Sequence, residues 1–521
     1  MPPGHAVAPI GRCPRAAGRA GRTARTSRAA AATAKAPGPA YDQRVATRIR
    51  RGRAPLTRAA AAPLAVALVL VACSGSSGVG RLPGAGDPYF PIGSRDYDAT
   101  HYALTLSYAP ATGRLTGTAE ITARANRRLG SLSLDLDGMN VSSASVDGDP
   151  AAVTRSATKL TLRPRHAPAP GRSFHAVVHY AGVPRRITDP DGSQEGWLAS
   201  DGGRRVAALG EPTGAMAWFP SDDRPGDKAT YDISVSVPEG LTALSNGELR
   251  ATRRHEGRTT YTWHTAHPMA SYLATLVIGP YATHRTRLAR AGGGGRALTA
   301  FTATDPQAGA GGKRLLDALP GIVAWEEKTF GPYPFSSTGV IIGRTGDSGY
   351  ALETQNRPFL PGPEGTATLV HEMAHQWYGD CVTPASWRDM WLNEGFATYG
   401  TWLWLDSRAG KDRVPLARSF ADAYASDANW AFPPADPPTA ADISRPPVYG
   451  RGAMVLQRLR EVVGDAAFFR ILRGWPRAHR YGNATTADFT AYAEQQAGQA
   501  GKRLAAEVWR PWLYGQGKPE P

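Results

Sequence analysis

Three residues at H-E-x-x-H spacing, His371, Glu372 and His375, are the part of this chain best suited to metal chemistry. On an α-helix, side chains four positions apart lie on one face, so both imidazoles can reach one cation while Glu372 lies beside them. Two imidazoles leave a zinc ion under-coordinated, because a catalytic site needs a third protein ligand and one open position. Glu394, 19 residues after His375, offers that ligand on a second predicted helix. The alternative is a surface helix with two incidental histidines.

The sequence around these residues resembles the M1 family of zinc aminopeptidases, which are gluzincins. H-E-x-x-H is followed by N-E-G-F-A at residues 393–397, at the spacing of that family. Residues 350–354, Y-A-L-E-T, resemble the family's G-x-M-E-N motif. Three more segments resemble conserved parts of the family, namely residues 211–220, 220–229 and 448–453. The resemblance extends from about residue 96 to the C-terminus.

The resemblance implies one Zn²⁺ per chain, held by His371, His375 and Glu394. Zinc lowers the pKa of a bound water to about 7 and polarises a carbonyl group, which suits it to peptide hydrolysis. Glu372 would then be the general base that takes the water proton and passes it to the leaving amine.

Three further site residues follow from the same resemblance. Tyr449 lies in the position of the family's catalytic tyrosine, whose hydroxyl would stabilise the oxyanion of the tetrahedral intermediate. Glu353 and Glu211 lie in the positions that bind the α-ammonium of the substrate. Two carboxylates there would select peptides with a free N-terminus and exclude capped or internal residues.

The chain departs from the family pattern at several places. Tyr350 replaces the first glycine of the G-x-M-E-N motif and Thr354 replaces its asparagine, which affects contacts with the substrate backbone. Only 72 residues follow Tyr449, too few for the large C-terminal helical domain of the family. We therefore expect a short form with a more open cleft.

The hydrophobic pattern predicts two structural domains of different class. From about residue 96 to residue 281 the residues alternate as in strands, with turn residues between them. From about residue 315 the period becomes helical, over residues 314–329, 367–378, 387–407, 452–463 and 486–496. A glycine run at residues 292–295 is flanked by strand-like residues and favours a hairpin turn. Together with the resemblance to the M1 family, this pattern implies an α+β multidomain fold, with an all-β saddle-like or sandwich-like domain at residues 96–284 and a mainly α, thermolysin-like zinc domain at residues 285–521.

The first 72 residues are typical of a bacterial export signal. They carry +12 of the net charge of +16, and an apolar run too short to span a bilayer precedes Cys73. Residues 70–73, L-V-A-C, resemble a lipobox, which predicts a leader at residues 1–72, lipid attachment at Cys73 and a flexible tether at residues 73–95. We expect the protein on the extracytoplasmic face of the cell membrane, or secreted if Cys73 is incidental. Since the basic excess lies in the leader, a nucleic-acid partner is not expected.

Two other functions fit parts of the sequence. A thermolysin-like zinc endopeptidase would use the same ligands and base but cut inside peptides. A catalytically inactive surface binding lipoprotein would need no general base or tyrosine, so the presence of both favours an enzyme.

Overall fold

The computed structural model describes residues 87–291 and 297–520. The predicted leader, Cys73, most of the tether and the glycine-rich turn lie outside the described residues. None of the helices within the described ranges is both long and apolar enough to cross a membrane.

The N-terminal part is built from strands, as the alternating pattern predicts. In the strand Lys228–Pro238, for example, every second residue is buried. Sixteen strands are described before residue 280: β1 Tyr97–Ala109, β2 Arg114–Ala125, β3 Leu132–Asp135, β4 Asn140–Val146, β5 Asp149–Pro150, β6 Ala152–Ser156, β7 Lys159–Arg163, β8 Ser173–Gly182, β9 Arg186–Thr188, β10 Gln194–Ser200, β11 Arg205–Leu209, β12 Lys228–Pro238, β13 Thr242–Ser245, β14 Glu248–His255, β15 Arg258–Ala270 and β16 Leu276–Gly279.

These strands form three sheets. Eight of them pair in the order β14-β15-β12-β1-β2-β8-β4-β5, and five pair in the order β13-β16-β11-β10-β9. A third sheet has the order β3-β7-β6. Strand β11 is buried along its whole length and leads directly into the segment that carries Glu211. The sheets therefore place this carboxylate at the end of a central strand.

The C-terminal part combines helices with two small sheets, one of four strands and one of two. Its strands are β17 Ala282–Leu288, β18 Leu298–Thr304, β19 Ser337–Ile342, β20 Phe359–Leu360, β21 Thr383–Pro384 and β22 Asn483–Ala484. Strands β17 to β20 pair in that order, and β17 and β18 are antiparallel, as the predicted hairpin requires. The domain boundary predicted after residue 284 stays a prediction, and that residue lies in β17.

The α-helices within the described ranges are α1 Gly309–Phe330, α2 Thr366–Ala374, α3 Trp391–Asp406, α4 Leu416–Ala425, α5 Gly452–Val463, α6 Asp465–Ala478, α7 Thr486–Ala497 and α8 Gly501–Leu504. The π-helical turn Pro447–Arg451 directly precedes α5, and a π-helical segment, Ala505–Leu513, directly follows α8. Helix α3 is buried from Trp391 to Trp404, so it is the central helix of this part. A β-rich domain followed by a helical domain confirms the predicted fold class.

Candidate metal centre and active site

The metal-ligand candidates lie on two helices that pack against each other. Helix α2 ends with His371 in its last turn and His375 as its C-cap, and Glu394 lies in the first turn of α3. A Cβ atom on Gly395 would lie 2.9 Å from the carbonyl carbon of Gly452, so only glycine permits the close contact of α3 with α5. This contact also brings the turn that precedes α5 beside the metal-ligand candidates.

The three predicted ligands converge on one point. The Nε2 atoms of His371 and His375 lie 3.0 Å and 3.6 Å from Oε2 of Glu394. One ligand atom from each residue lies within 4.8 Å of the other two. Two imidazole nitrogens and one carboxylate form a donor set that suits zinc and leaves a coordination position open.

The orientation of His375 is set by a main-chain carbonyl. Its Nδ1 lies 3.0 Å from the oxygen of Tyr378, to which it donates a hydrogen bond. Zinc-binding histidines commonly donate their second ring N–H in this way, which directs the lone pair of the other nitrogen to the metal. Sequence analysis did not find this contact, because a backbone acceptor leaves no signal in residue type.

The charges of the site favour a cation. Burial opposes ionisation of Glu394, yet the His375 and His371 imidazoles lower the pKa of this carboxyl to about 2. Burial lowers the pKa of His371. Glu394 and Glu353 raise the pKa of His375 well above its ordinary value, against the effect of burial. A divalent cation bound by these groups would compensate the negative charge of the carboxylates in place of a proton.

The candidate base and the amine-binding carboxylates join the same cluster. Glu372 has a carboxylate oxygen within 4.8 Å of ligand atoms of Glu353 and His375, and Glu211, Glu353 and Glu394 form a second group of that size. Burial raises the pKa of Glu372 and of Glu211 well above the ordinary value. One oxygen of Glu353 is buried without a hydrogen-bond partner among the described residues. An unpartnered buried acceptor fits a missing ligand that donates hydrogen bonds.

Tyr449 lies above the first ligand. It occupies the π-helical turn Pro447–Arg451, and its ring is stacked on that of His371, with centroids 6.2 Å apart and an interplanar angle of 14°. Burial and the carboxylates Glu394 and Glu211 raise the pKa of Tyr449 well above its ordinary value. The phenol therefore keeps its proton at neutral pH and can donate a hydrogen bond.

Gln376 is a site residue that sequence analysis missed. Its Nε2 donates to the main-chain oxygen of Glu353 at 3.1 Å, and its Oε1 accepts from the backbone N–H of Asn356 at 2.8 Å and from Tyr333. The side chain thus ties the segment of Glu353 to the end of α2. Its position directly after H-E-x-x-H was the only available signal.

The two departures from the family motif have different surroundings. The hydroxyl of Thr354 donates to the main-chain oxygen of Arg357 at 2.6 Å and closes the turn after Glu353. The hydroxyl of Tyr350 is buried and has no hydrogen-bond partner in the described ranges. Thr354 therefore supports the loop, whereas Tyr350 adds an unused donor near the carboxylates.

The chain folds into a β-rich domain followed by a helix pair that carries two histidines and a glutamate. This combination defines the class of gluzincin-type metallopeptidases. Family models agree with this class in both parts of the chain. Residues 98–273 match the peptidase M1 N-terminal domain, and residues 362–512 match the peptidase family M1 domain. The chain belongs to the M1 family of peptidases, as the resemblance predicted.

The individual relatives share only about a quarter of the aligned residues with this chain. The chain is 26% identical over 336 residues to probable aminopeptidase 2 of Sulfurisphaera tokodaii, covering 59% of this chain and 41% of that protein. It is 26% identical over 313 residues to aminopeptidase N of Streptomyces lividans, covering 54% of this chain and 35% of that protein. The chain thus matches about two fifths or less of the length of these relatives.

A solved structure is similar over nearly its whole length. It is an M1 zinc metallopeptidase from Deinococcus radiodurans, a glutamate-to-alanine mutant bound to a Tyr-Ser-Ala substrate. The two chains are 29% identical with a TM-score of 0.76, and the match covers 84% of this chain and 98% of the other.

Proposed function

We propose that this protein is a zinc aminopeptidase that removes N-terminal residues from peptides. The observation that carries the proposal is the convergence of Glu211 and Glu353, which are not zinc-ligand candidates, on Glu394 within 4.8 Å. A zinc endopeptidase needs ligands and a base, but it has no need for two further carboxylates beside them. The aminopeptidase names of the relatives support the same activity, as do the zinc metallopeptidase name of the similar structure and the tripeptide substrate bound to it.

The donor set of His371, His375 and Glu394 fits Zn²⁺. When bound, the ion would polarise the scissile carbonyl and lower the pKa of water to about 7. Glu372 is 6% exposed and belongs to the same cluster, so it can take a proton from the attacking water and deliver it to the leaving amine. The protonated phenol of Tyr449 donates a hydrogen bond to the carbonyl oxygen as negative charge develops there.

Glu211 and Glu353 would accept charge-assisted hydrogen bonds from the substrate ammonium. Their raised pKa values follow first from burial, and an incoming cation would stabilise their ionised forms. An N-acetylated or internal residue carries no ammonium and would leave this negative charge buried and unpaired. The discrimination therefore rests on a penalty against the wrong substrate as well as a gain for the right one.

The test compares aminoacyl p-nitroanilides with their N-acetylated counterparts, before and after removal of zinc with a chelator. We expect the free-amine substrates to be turned over far faster than the N-acetylated ones, with activity lost on removal of zinc and restored by adding it back. Glu372→Gln should lower kcat by about a thousandfold, because general base catalysis contributes roughly 10² to 10⁴. Glu364→Gln, at an exposed glutamate just before α2, is the matched control and should keep full activity.

Mass spectrometry of products from a defined peptide separates the alternatives. Stepwise loss of N-terminal residues supports the proposal, whereas internal cuts from the first time points would assign the thermolysin-like endopeptidase. Turnover that is absent in the zinc-loaded protein would favour a binding lipoprotein.

We further propose that the protein acts at the extracytoplasmic face of the cell membrane, held by a lipid on Cys73. The support is the basic leader, the short apolar run and the L-V-A-C sequence at residues 70–73. Secretion without a lipid is the alternative.

A further inference from the structure

Arg451 ends the π-helical turn that carries Tyr449 and is fully buried. Its guanidinium donates to the main-chain oxygens of Trp512 at 2.8 Å, Phe432 at 3.3 Å, Pro511 at 3.2 Å and Gly515 at 2.5 Å. No carboxylate among the described residues lies within ion-pair distance of it. The planar guanidinium therefore links the end of this turn to two backbone segments, one at Phe432 and one at residues 511–515.

The phenol of Tyr449 depends on this turn for its position. Its hydroxyl makes no hydrogen bond within the described ranges, so its direction is set by the backbone of the turn and by packing of the ring, which includes stacking on His371. A Cβ atom on Gly450 would lie 2.5 Å from Oδ1 of Asn429, which shows that the turn packs tightly on that side. Isolated π-helical turns are uncommon and occur frequently at functional sites, where they displace a side chain from its regular helical direction.

We propose that Arg451 is a positioning residue, which fixes the π-helical turn so that the Tyr449 hydroxyl points at the scissile carbonyl. The inference rests on the proposed role of Tyr449 in catalysis. A misplacement of about 1 Å in a reacting geometry can cost about a hundredfold in rate. Lysine keeps the charge at residue 451 but cannot reach four carbonyl oxygens with one planar group.

The experiment is a double-mutant cycle of Arg451→Lys with Tyr449→Phe in the zinc-loaded enzyme. Arg451→Lys alone should lower kcat about tenfold, with KM and zinc content unchanged within twofold. In the Tyr449→Phe background the same substitution should cause no further loss, because a phenylalanine has no hydroxyl to misplace. This non-additivity is the readout that a purely structural role would not produce.

Arg357→Lys is the matched control. Arg357 is also fully buried, and its guanidinium binds the main-chain oxygens of Phe301, Ser245 and Gly247 and stacks on Trp263. Any loss of kcat in Arg357→Lys should multiply with that of Tyr449→Phe, since this arginine does not contact the turn. The comparison separates the general cost of replacing a buried arginine from the specific effect on Tyr449.

If Arg451→Lys does not fold, Arg451→Gln replaces it in the same cycle, because glutamine keeps N–H donors at this position but cannot reach all four carbonyl oxygens. Losses that multiply in either cycle would overturn the inference and leave the proposed function intact. An unchanged kcat in Tyr449→Phe alone would instead remove the proposed role of the phenol, and the inference with it.

Discussion

Replacement of Glu353 by glutamine tests amine recognition with a minimal change in shape. Glu353 is 2% exposed and one of its oxygens is buried without a partner among the described residues. Its main-chain carbonyl is held by Gln376, a contact that does not involve the carboxylate. Glutamine keeps the volume and one acceptor but removes the negative charge, so we expect the loop and the metal centre to keep their structure.

The magnitude follows from the loss of one charge-assisted hydrogen bond to the substrate ammonium. Such a bond contributes about 1.5 to 3 kcal/mol. Since about 1.4 kcal/mol corresponds to a tenfold change, kcat/KM for a free-amine substrate should fall about ten- to a hundredfold. An N-acetylated substrate has no ammonium to lose, and its kcat/KM should not fall. The preference for the free amine should therefore shrink by the same factor.

The assay measures kcat/KM for leucyl p-nitroanilide and its N-acetylated form with wild type, Glu353→Gln and Glu364→Gln, each at equal zinc content. The exposed Glu364 controls for the removal of one negative charge on the surface. Equal losses on both substrates in Glu353→Gln would refute the reasoning, because they would place Glu353 in the chemical step instead of in amine recognition.

Four further outcomes are expected. Tyr449→Phe should lower kcat about a hundredfold or more with little change in KM, because an oxyanion donor contributes about 3 kcal/mol; steady-state kinetics checks this. His371→Ala should lose zinc, measured by elemental analysis, whereas Tyr449→Phe should retain it. Burial raises the pKa of Asp223 to about 8, above its value in the unfolded chain, so ionisation of this carboxyl favours unfolding as the pH rises from about 4 to 8. In thermal melts, the Tm of Asp223→Asn minus that of wild type should therefore be larger at pH 8 than at pH 5. A Tm difference that is the same at both pH values would contradict this. Cys73→Ser should move the expressed protein from the detergent phase to the aqueous phase in detergent partitioning, and no shift would favour secretion without a lipid.

The metal-ligand candidates could be predicted because their geometry is local. His371 and His375 are brought together by the helical repeat alone, and Glu394 needs only one further helix packed against the first. The strand alternation and the later helical period likewise predicted the two-part fold, since each depends on residues close in sequence. The mixed sheet of β17 to β20 was not predicted, because its parallel pairs join strands separated by a helix or a long loop.

The contacts that set the orientation of the site were not predictable in the same way. The main-chain carbonyl of Tyr378 accepts from His375, and the side-chain amide of Gln376 donates to the main-chain oxygen of Glu353. Every residue carries such backbone acceptors, so they leave no signal in residue type. Arg451, at the end of the π-helical turn that carries Tyr449, donates to carbonyls 60 and 61 residues further along the chain. A motif gives the residue types of a site. The hydrogen bonds that orient each side chain, some of them between residues far apart in the sequence, decide where it points.

The metal centre and the groups that bind substrate should respond differently to substitution. The metal centre depends on α2 and α3, which share a buried interface, whereas amine binding and oxyanion stabilisation depend on Glu211, Glu353 and the turn before α5. These three groups come from separate elements: Glu211 follows β11, the segment of Glu353 is held by the Gln376 side chain, and the turn is held by Arg451. Substitutions in the supporting contacts should therefore reduce specificity or kcat while zinc remains bound. A variant of Gln376 or Arg451 that folds but loses zinc in parallel with activity would show that the metal centre and these groups are coupled after all.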